Sequence, residues 1–98
     1  MEKVWFVEYQ KTGIPETVEL PQENSSLIDI FERNFQKFGS RDAFIFMDKV
    51  MSFSDLELAS RKFATYLQSL GLAKGSRVAV MMPNVLQYPV VALGVLRA

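Results

Sequence analysis

Cysteine and histidine are both missing from the 98 residues of this sequence. Without them the chain has no disulfide bonds, no thiolate nucleophile, no imidazole base and none of the usual ligand sets of zinc sites. Net charge is missing as well, because 11 basic and 11 acidic side chains cancel, so no overall field attracts nucleic acid or an anionic membrane. The chemistry that remains depends on carboxylates and on serine, threonine, lysine and tyrosine side chains.

Long hydrophobic runs are absent too. The longest, residues 88–96, has nine residues and contains Pro89, so it is about half as long as a membrane-spanning helix requires. Glu8 interrupts the first apolar run after four residues, which is too short for the hydrophobic region of a signal peptide. With no export signal and no cysteine, we expect a cytoplasmic protein, with peripheral association at the inner membrane face as an alternative.

The length and composition of the chain are those of one globular domain at most. The sequence is 49% hydrophobic, 12% aromatic and 22% charged, a balance that a disordered chain would not have. A chain of this length is expected to bury roughly 60–70% of the surface that its unfolded form exposes, which is enough for a small core.

The first quarter of the chain reads as an extended segment and a loop. Residues 4–9 are rich in strand-forming side chains, and Gly13, Pro15 and Pro21 then interrupt any regular structure. We therefore predict that residues 1–25 form an N-terminal extended segment followed by a surface loop.

An amphipathic helix is predicted next. Residues 24–26 offer side chains that cap a helix N-terminus, and Ser26 with Asp29 has the spacing of a capping box. Apolar residues then recur mostly at intervals of three and four: Leu27, Ile28, Ile30, Phe31, Phe35 and Phe38. Gly39 follows in the position where a left-handed residue often ends a helix.

A two-stranded hairpin is predicted from two short apolar runs, residues 43–47 and 50–53, with Asp48 and Lys49 as the turn. Because the first run is apolar throughout, we expect both faces of that strand to be covered. A second capping box at residues 54–57 begins a longer helix, which ends at Gly71. Its predicted buried stripe consists of Leu56, Ala59, Phe63, Tyr66, Leu67 and Leu70.

The last part of the chain predicts an α/β fold. Residues 78–82 are five consecutive apolar residues before Pro83, as in a buried strand, and a third helix over residues 86–98 follows with Asn84 as its cap and Pro89 in its first turn. The order helix, strand, helix favours a parallel sheet. Such a strand needs neighbours on both edges, so we expect the chain to be an incomplete part of a longer α/β domain.

Three stretches of the sequence resemble the opening motifs of the adenylate-forming, or AMP-binding, superfamily of acyl-CoA synthetases. They are residues 51–56 (MSFSDL), 70–80 (LGLAKGSRVAV) and 82–84 (MPN). Phe53 and Ser76 depart from the usual tyrosine and aspartate of these motifs. The resemblance implies that residues 26–98 are the start of the large domain of such an enzyme, truncated at the C-terminal end.

Other stretches are similar to bacterial long-chain fatty acid–CoA ligases, namely residues 3–5 (KVW), 86–90 (LQYPV) and 96–98 (LRA). This resemblance implies a parent enzyme that uses Mg²⁺ and ATP to convert a fatty acid to an acyl-adenylate, from which coenzyme A displaces AMP. ATP, magnesium and coenzyme A are thus the implied cofactors and substrates of the parent, together with a long-chain fatty acid.

The motifs that carry this chemistry in the family are absent from the 98 residues. There is no Ser/Thr/Gly-rich phosphate loop and no Tyr-Gly-x-Thr-Glu motif. We therefore predict no catalytic, cofactor-binding or metal residue in this chain and no activity of the chain alone. Arg77 could contact an anionic ligand, but we expect it to pair with a surface carboxylate. Asn84 is expected to cap a helix, and Lys74 to be solvated.

The sequence is also compatible with two other functions. Residues 78–82 and 90–96 would leave apolar surface exposed in an incomplete domain, as in a self-contained interaction module or a homodimer. Val4, Trp5 and Phe6 could instead associate with a membrane interface, although no basic face accompanies them.

Overall fold

The computed structural model describes residues 2–20 and 26–98. The elements are four helices and two strands: α1 Trp5–Thr12, α2 Leu27–Phe38, β1 Asp42–Phe46, β2 Lys49–Ser52, α3 Phe53–Ser69 and α4 Gln87–Arg97. Helix α3 lies at the centre, packing most extensively on α4 and also on α2 and the hairpin. Helix α1 contacts no other element of the described chain. The result is a mixed helical fold with one antiparallel hairpin, and the described residues contain no parallel strand pair.

Helix α1 corrects the prediction of an extended segment over residues 4–9. Strand-forming side chains need a neighbouring strand to pack against, and none lies beside this segment. Local interactions favour a helix instead: Lys11 Nζ lies 2.6 Å from Glu8 Oε1. Gly13 ends the helix with a φ of +71°, and the N–H of Ile14 donates to the carbonyl of Tyr9.

Helix α2 is confirmed, and the hydroxyl of Ser26 accepts the N–H of Asp29 at 3.2 Å. The other predicted cap residues, Asn24 and Ser25, and the predicted loop residue Pro21 lie outside the described residues. Gly39 is not left-handed as predicted, since its φ is −48°. The close approach of Ser54 explains why this residue is a glycine, because a Cβ on Gly39 would lie 2.7 Å from the Ser54 hydroxyl. That hydroxyl donates a hydrogen bond to the Gly39 carbonyl.

The hairpin is confirmed, with its turn one residue earlier than predicted. Met47 and Asp48 form the turn, and both have positive φ, as the twist of tight hairpins favours. The prediction that both faces of β1 are covered is wrong, because four of its five residues are exposed. A strand with an apolar sequence is covered on both faces only when other elements pack against it, and the sequence of the strand does not supply those elements.

The cap of α3 lies two residues before the predicted one. Ser52, not Ser54, is the N-cap, and it forms a complete capping box with Asp55. Residues 52–55 and residues 54–57 both have the spacing of a capping box. Because strand β2 ends at Ser52, the earlier of the two boxes begins the helix. Gly71 has a φ of +81° just after the helix, as predicted.

The buried core is small. Phe35, Leu56 and Leu93 form its centre, with Phe31 and Val90 among the partly buried side chains around them. On the predicted stripe of α3, Leu56 and Leu67 are buried, whereas Tyr66 and Leu70 are exposed. The predicted stripe is therefore right at Leu56 and Leu67 and wrong at Tyr66 and Leu70.

Helices α3 and α4 approach closely at Gly94. A Cβ on this residue would lie 2.6 Å from Cδ1 of Phe63 and 3.2 Å from the carbonyl oxygen of Ser60. Ser60, on the facing surface of α3, is fully buried. Gly94 thus permits the contact between the two helices that bury most of the core.

Replacing Gly94 by valine is expected to lower the free energy of unfolding by about 1–2 kcal/mol, because the added side chain must displace Phe63 or separate the helices. Urea denaturation followed by circular dichroism measures the change. In the double variant Gly94→Val/Phe63→Ala, the clash is relieved, so the loss should be smaller than the sum of the two single losses. Strictly additive losses of unfolding free energy would contradict the close approach of Gly94 and Phe63.

The strand predicted over residues 78–82 is not formed within the described residues. These residues run between α3 and α4 without regular secondary structure, and the Met81 side chain is 98% exposed. The predicted buried strand has no neighbouring strand among the described residues. Helix α4 begins at Gln87 with Leu86 as N-cap, so Asn84 is not its cap, while Pro89 does lie in the first turn.

The chain is more open than a complete domain of its mass. Its accessible surface is 8132 Å², whereas a compact 11.2 kDa protein exposes about 5,700 Å². Its radius of gyration is 17.8 Å, against about 13 Å for a compact chain of this length. Roughly 2,400 Å² of surface is therefore exposed beyond the normal amount.

Candidate functional site

The residues singled out in the sequence do not come together. Lys74 and Arg77 are exposed between α3 and α4, and neither side chain has a hydrogen bond or ion pair within the described residues. The surface carboxylate expected beside Arg77 is therefore not found there. Asn84 lines a cavity of about 230 Å³ with residues of β1 and the start of α4. These side chains do not form a polar site.

The most distinctive surface is an apolar groove between β1, α2 and α4. It encloses about 290 Å³ and is lined by Phe31, Phe44, Leu56, Tyr88, Pro89, Ala92, Leu93 and Leu96. Tyr88 alone among these residues has a polar side-chain group. The cavity beside Asn84 adjoins the groove, since Phe44, Tyr88 and Pro89 line both. Such a surface can bind apolar groups, but it offers no charged group for acid–base chemistry.

A cluster of charged residues joins the three longer helices, α2, α3 and α4. The carboxylate of Glu32 on α2 accepts hydrogen bonds from Arg61 at 3.0 Å and from Arg97. Arg61 also pairs with Glu57 at 3.0 Å, one turn away on α3. Arg97 Nε donates to the hydroxyl of Ser60 at 3.0 Å, which in turn donates to the Glu57 carbonyl. The cluster is a link between helices rather than a catalytic arrangement.

Arg97 is the most deeply buried charge in this cluster. Its side chain is 9% exposed and its guanidinium lies 5.6 Å from the centre of the Phe35 ring. Its Nη2 atom is buried and has no hydrogen-bond partner in the described chain. In the sequence, Arg97 stands out only as part of the stretch 96–98. Its spacing from Val90 and Leu93 on one face of α4 was the signal for its burial.

The aromatic residues of α1 lie close to one another, and α1 contacts no other helix or strand among the described residues. The ring centres of Trp5 and Phe6 are 6.1 Å apart, and those of Phe6 and Tyr9 are 5.8 Å apart. An eight-residue helix without tertiary contacts is only marginally stable in water. Association of Val4, Trp5 and Phe6 with a membrane interface stays a prediction.

Asp55, in the capping box of α3, is an acid whose pKa is shifted from its usual value. The Ser52 N–H donates to the carboxylate of Asp55 at 3.0 Å, and the Ser52 hydroxyl does so at 2.8 Å. These hydrogen bonds, the backbone one first, lower the pKa of Asp55 below its usual value. The cause is local, so the shift reflects helix capping and not a reaction centre.

This pKa gives the stability of the chain a component that depends on pH. Because the folded pKa of Asp55 is lowered, its contribution is present above the unfolded pKa and disappears as the pH falls below about 4. Asp55→Asn should therefore lower the urea midpoint at pH 7 and flatten its decrease between pH 5 and pH 2. Asp48→Asn, in the hairpin turn, is the matched control. Equal flattening by both substitutions would contradict the assignment.

Residues 2–20 and 26–98 contain neither a cluster of metal ligands nor a membrane-spanning helix. No group of three or more aspartate or glutamate residues lies close enough to hold a metal ion. No helix is both long and apolar enough to cross a membrane.

Comparison with known proteins gives consistent results along the whole chain. The family model for AMP-binding enzymes matches residues 31–98. The chain is 52% identical over 99 aligned positions to a long-chain-fatty-acid–CoA ligase of Yersinia pestis, with 100% of the chain and 17% of that protein covered. No solved structure matches the chain at a significant level.

More distant relatives have similar names. A long-chain-fatty-acid–CoA ligase of Bacillus subtilis is 39% identical, with 99% of this chain and 17% of the ligase covered. A 4-coumarate–CoA ligase-like protein of Arabidopsis thaliana is 29% identical, with 92% of the chain and 16% of that protein covered. The chain thus spans about one-sixth of the length of the curated relatives that it matches.

Proposed function

The chain belongs to the family of AMP-binding enzymes, and from this membership we propose that it is the N-terminal part of a long-chain fatty acid–CoA ligase. The observation that carries the proposal is the similarity of the entire chain to bacterial proteins with that name. The resemblance of residues 51–56 and 70–84 to the opening motifs of the superfamily supports the same assignment.

The proposed reaction of the complete protein has two steps. A fatty acid carboxylate oxygen attacks the α-phosphorus of ATP, the bond from that phosphorus to the pyrophosphate oxygen breaks, and an acyl-adenylate forms. The thiolate sulfur of coenzyme A then attacks the acyl carbon, and the bond to the AMP oxygen breaks. The products are acyl-CoA, AMP and pyrophosphate.

The described residues do not fit ATP, magnesium or coenzyme A. They contain no cluster of carboxylates for a metal ion, and Lys74 and Arg77 belong to no polar site. We therefore propose that the groups that bind these molecules lie in the part of the protein that this chain does not include, and that the 98-residue chain has no ligase activity.

The proposed role of the chain is structural. The apolar segment 78–82 lies between helices α3 and α4, and this order of helix, apolar segment and helix is that of an α/β unit with a parallel sheet. In the complete protein we propose that residues 78–82 form a strand of that sheet. Residues 26–98 then contribute the beginning of the large domain, and residues 1–25 precede it.

The test is an activity assay on the full-length protein and on the 98-residue chain. With ATP, Mg²⁺, palmitate and coenzyme A, the full-length protein should release AMP and form palmitoyl-CoA, whereas the chain alone should release none. A set of fatty acids of different lengths extends the assay beyond palmitate. Full-length protein that releases no AMP with any of them would refute the ligase assignment. Turnover by the isolated chain would refute its proposed structural role.

A module for self-association is the alternative function. It is favoured by the large apolar side chains that the fold leaves exposed, including Phe44, Met81 and Leu96. Sedimentation equilibrium of the 98-residue chain at several concentrations distinguishes the two roles. A chain that stays monomeric at all concentrations would contradict the alternative. A dimer without ligase activity would support it.

A further inference from the structure

We propose that Lys37 and Arg41, at the C-terminal end of α2, form a binding site for a phosphate group. No step of the proposed ligase reaction uses these residues, so the site goes beyond the proposed function and is independent of it. Its ligand is a phosphate anion or phosphate ester, carried either by a soluble molecule or by a lipid headgroup.

A row of basic side chains is the first observation. Residues 33–41 contain three of them, Arg33, Lys37 and Arg41, at intervals of four positions, and no acidic side chain. All three are exposed along α2 and the turn that follows it. Like charges at this spacing repel one another and make a helix less stable. A bound anion relieves this repulsion, and sequences depart from such local rules mainly where a functional site requires it.

The lack of carboxylate partners is the second observation. Neither Lys37 nor Arg41 forms a side-chain hydrogen bond or ion pair within residues 2–20 and 26–98. Asp42 follows Arg41 in the sequence, yet the two side chains do not pair. Glu32, at the other end of the same helix, is by contrast shared by two arginines. The donors of Lys37 and Arg41 are therefore left to solvent or to a ligand.

The ring of Phe38 brings the two positive groups together. Lys37 Nζ lies 5.2 Å from the ring centre and Arg41 Cζ lies 5.0 Å from it. Contacts of this kind are attractive, because the face of an aromatic ring is negative. The Phe38 ring is itself held by Phe53, whose ring centre is 6.5 Å away. Two cations beside one fixed ring can donate to different oxygens of the same phosphate.

The backbone of Arg41 is fixed on both sides. Its N–H donates to the carbonyl of Phe38 at 2.8 Å, and its carbonyl accepts the N–H of Phe53 at 3.0 Å. Binding therefore has to order only the two side chains, which lowers its entropic cost. The guanidinium of Arg41 can donate two parallel hydrogen bonds to a phosphate, and the ammonium of Lys37 adds a compact positive charge.

The surroundings favour a single phosphate group over a metal-bound triphosphate. Residues 2–20 and 26–98 contain no carboxylate cluster that would hold Mg²⁺ beside Lys37 and Arg41. If the phosphate belongs to a lipid headgroup, the same two cations attract the chain to an anionic membrane surface. Each basic residue close to such a surface increases binding about fivefold.

The first test is a titration of the 98-residue chain with inorganic phosphate, followed by NMR. Backbone amides of residues 37–42 should shift saturably. In Lys37→Gln/Arg41→Gln, the dissociation constant should rise at least about tenfold, because two charge-assisted contacts are lost. Lys62→Gln/Lys74→Gln removes the same charge from two exposed lysines elsewhere and should change the constant less than about twofold. Equal weakening by both double variants would overturn the proposal.

Co-sedimentation with vesicles distinguishes the two sources of phosphate. For a lipid headgroup, adding phosphatidylglycerol to phosphatidylcholine vesicles should increase binding of the wild-type chain, and Lys37→Gln/Arg41→Gln should reduce that increase about 25-fold. For a soluble ligand, inorganic phosphate should bind saturably while phosphatidylglycerol has no effect. Either result supports the site. A chain that shows neither a saturable shift of residues 37–42 nor a preference for phosphatidylglycerol would overturn it.

Urea denaturation separates binding from a purely structural role. Lys37 also lies near the last carbonyls of α2, where a positive charge stabilises a helix without any ligand. A ligand of the folded state adds stability, so phosphate should raise the urea midpoint of the wild-type chain more than that of Lys37→Gln/Arg41→Gln. Sodium chloride at equal ionic strength controls for screening. An equal increase in both chains would overturn the proposal. Should the variant fail to fold, as circular dichroism would reveal, the wild-type titration decides.

Discussion

Replacing Leu56 by alanine is expected to lower the free energy of unfolding of the 98-residue chain by about 2–5 kcal/mol, the largest loss for any single truncation in α3. Leu56 is 2% exposed and lies at the centre of the small core with Phe35 and Leu93. The substitution removes buried methyl groups and leaves a cavity that three helices cannot easily close. Since domains of this size have only about 5–15 kcal/mol of stability, the loss should be evident in urea denaturation.

Leu58→Ala provides the control, two positions along the same helix. Leu58 is 57% exposed, and its truncation should change the free energy of unfolding by at most about 0.5 kcal/mol. Both substitutions have the same effect on helix propensity, so the difference between them isolates burial. Similar losses for the two variants would show that the core is not centred on Leu56.

Glu32→Gln should have the second largest effect, a loss of about 2–3 kcal/mol. The substitution removes the negative charge that accompanies Arg97, whose guanidinium stays buried at the contact of α2, α3 and α4. An uncompensated charge in such a position is costly. Because Glu32 is itself 28% exposed, the expected loss is smaller than the roughly 3–5 kcal/mol found when fully buried pairs are broken.

Glu57→Gln separates this effect from a general loss of charge. Among the described residues Glu57 pairs only with Arg61, a half-exposed residue on the same helix, so its replacement should cost at most about 0.5 kcal/mol. Adding Arg97→Met to Glu32→Gln should restore part of the stability, since the buried charge is then gone. If Glu32→Gln behaves like Glu57→Gln, Arg97 is better solvated than the structure indicates.

The features that the sequence predicted well are those encoded within a few residues. Helix α2 follows from the spacing of its apolar side chains and from Ser26, whose hydroxyl does accept the N–H of Asp29. Gly71 ends α3 in the predicted left-handed conformation. The resemblance to long-chain fatty acid–CoA ligases is likewise confirmed by the comparisons, because it rests on short motifs distributed along the whole chain.

The predictions that the structure overturns or does not show concern strands and their cover. Residues 4–9 and 78–82 both have strand-forming composition, but a strand also requires a partner that the sequence of the segment does not contain. The first segment is a helix and the second is unpaired. The spacing of Arg97 from Val90 and Leu93 indicates a buried face, but its ion pair with Glu32, 65 positions away in the sequence, cannot be read from that spacing. The predictions of no site residues and of the domain boundary at residue 25 stay predictions.

The open groove has a consequence for biosynthesis. In a ligase as long as its relatives, roughly half a minute to two minutes of translation would separate the emergence of α4 from the end of the chain, at about 5–20 residues per second. During that interval Phe44, Met81 and Leu96 would stay exposed to solvent. The nascent chain should then be a client of ribosome-associated chaperones, and crosslinking from position 81 of stalled chains would detect them. Once the covering polypeptide has emerged, that crosslink should disappear.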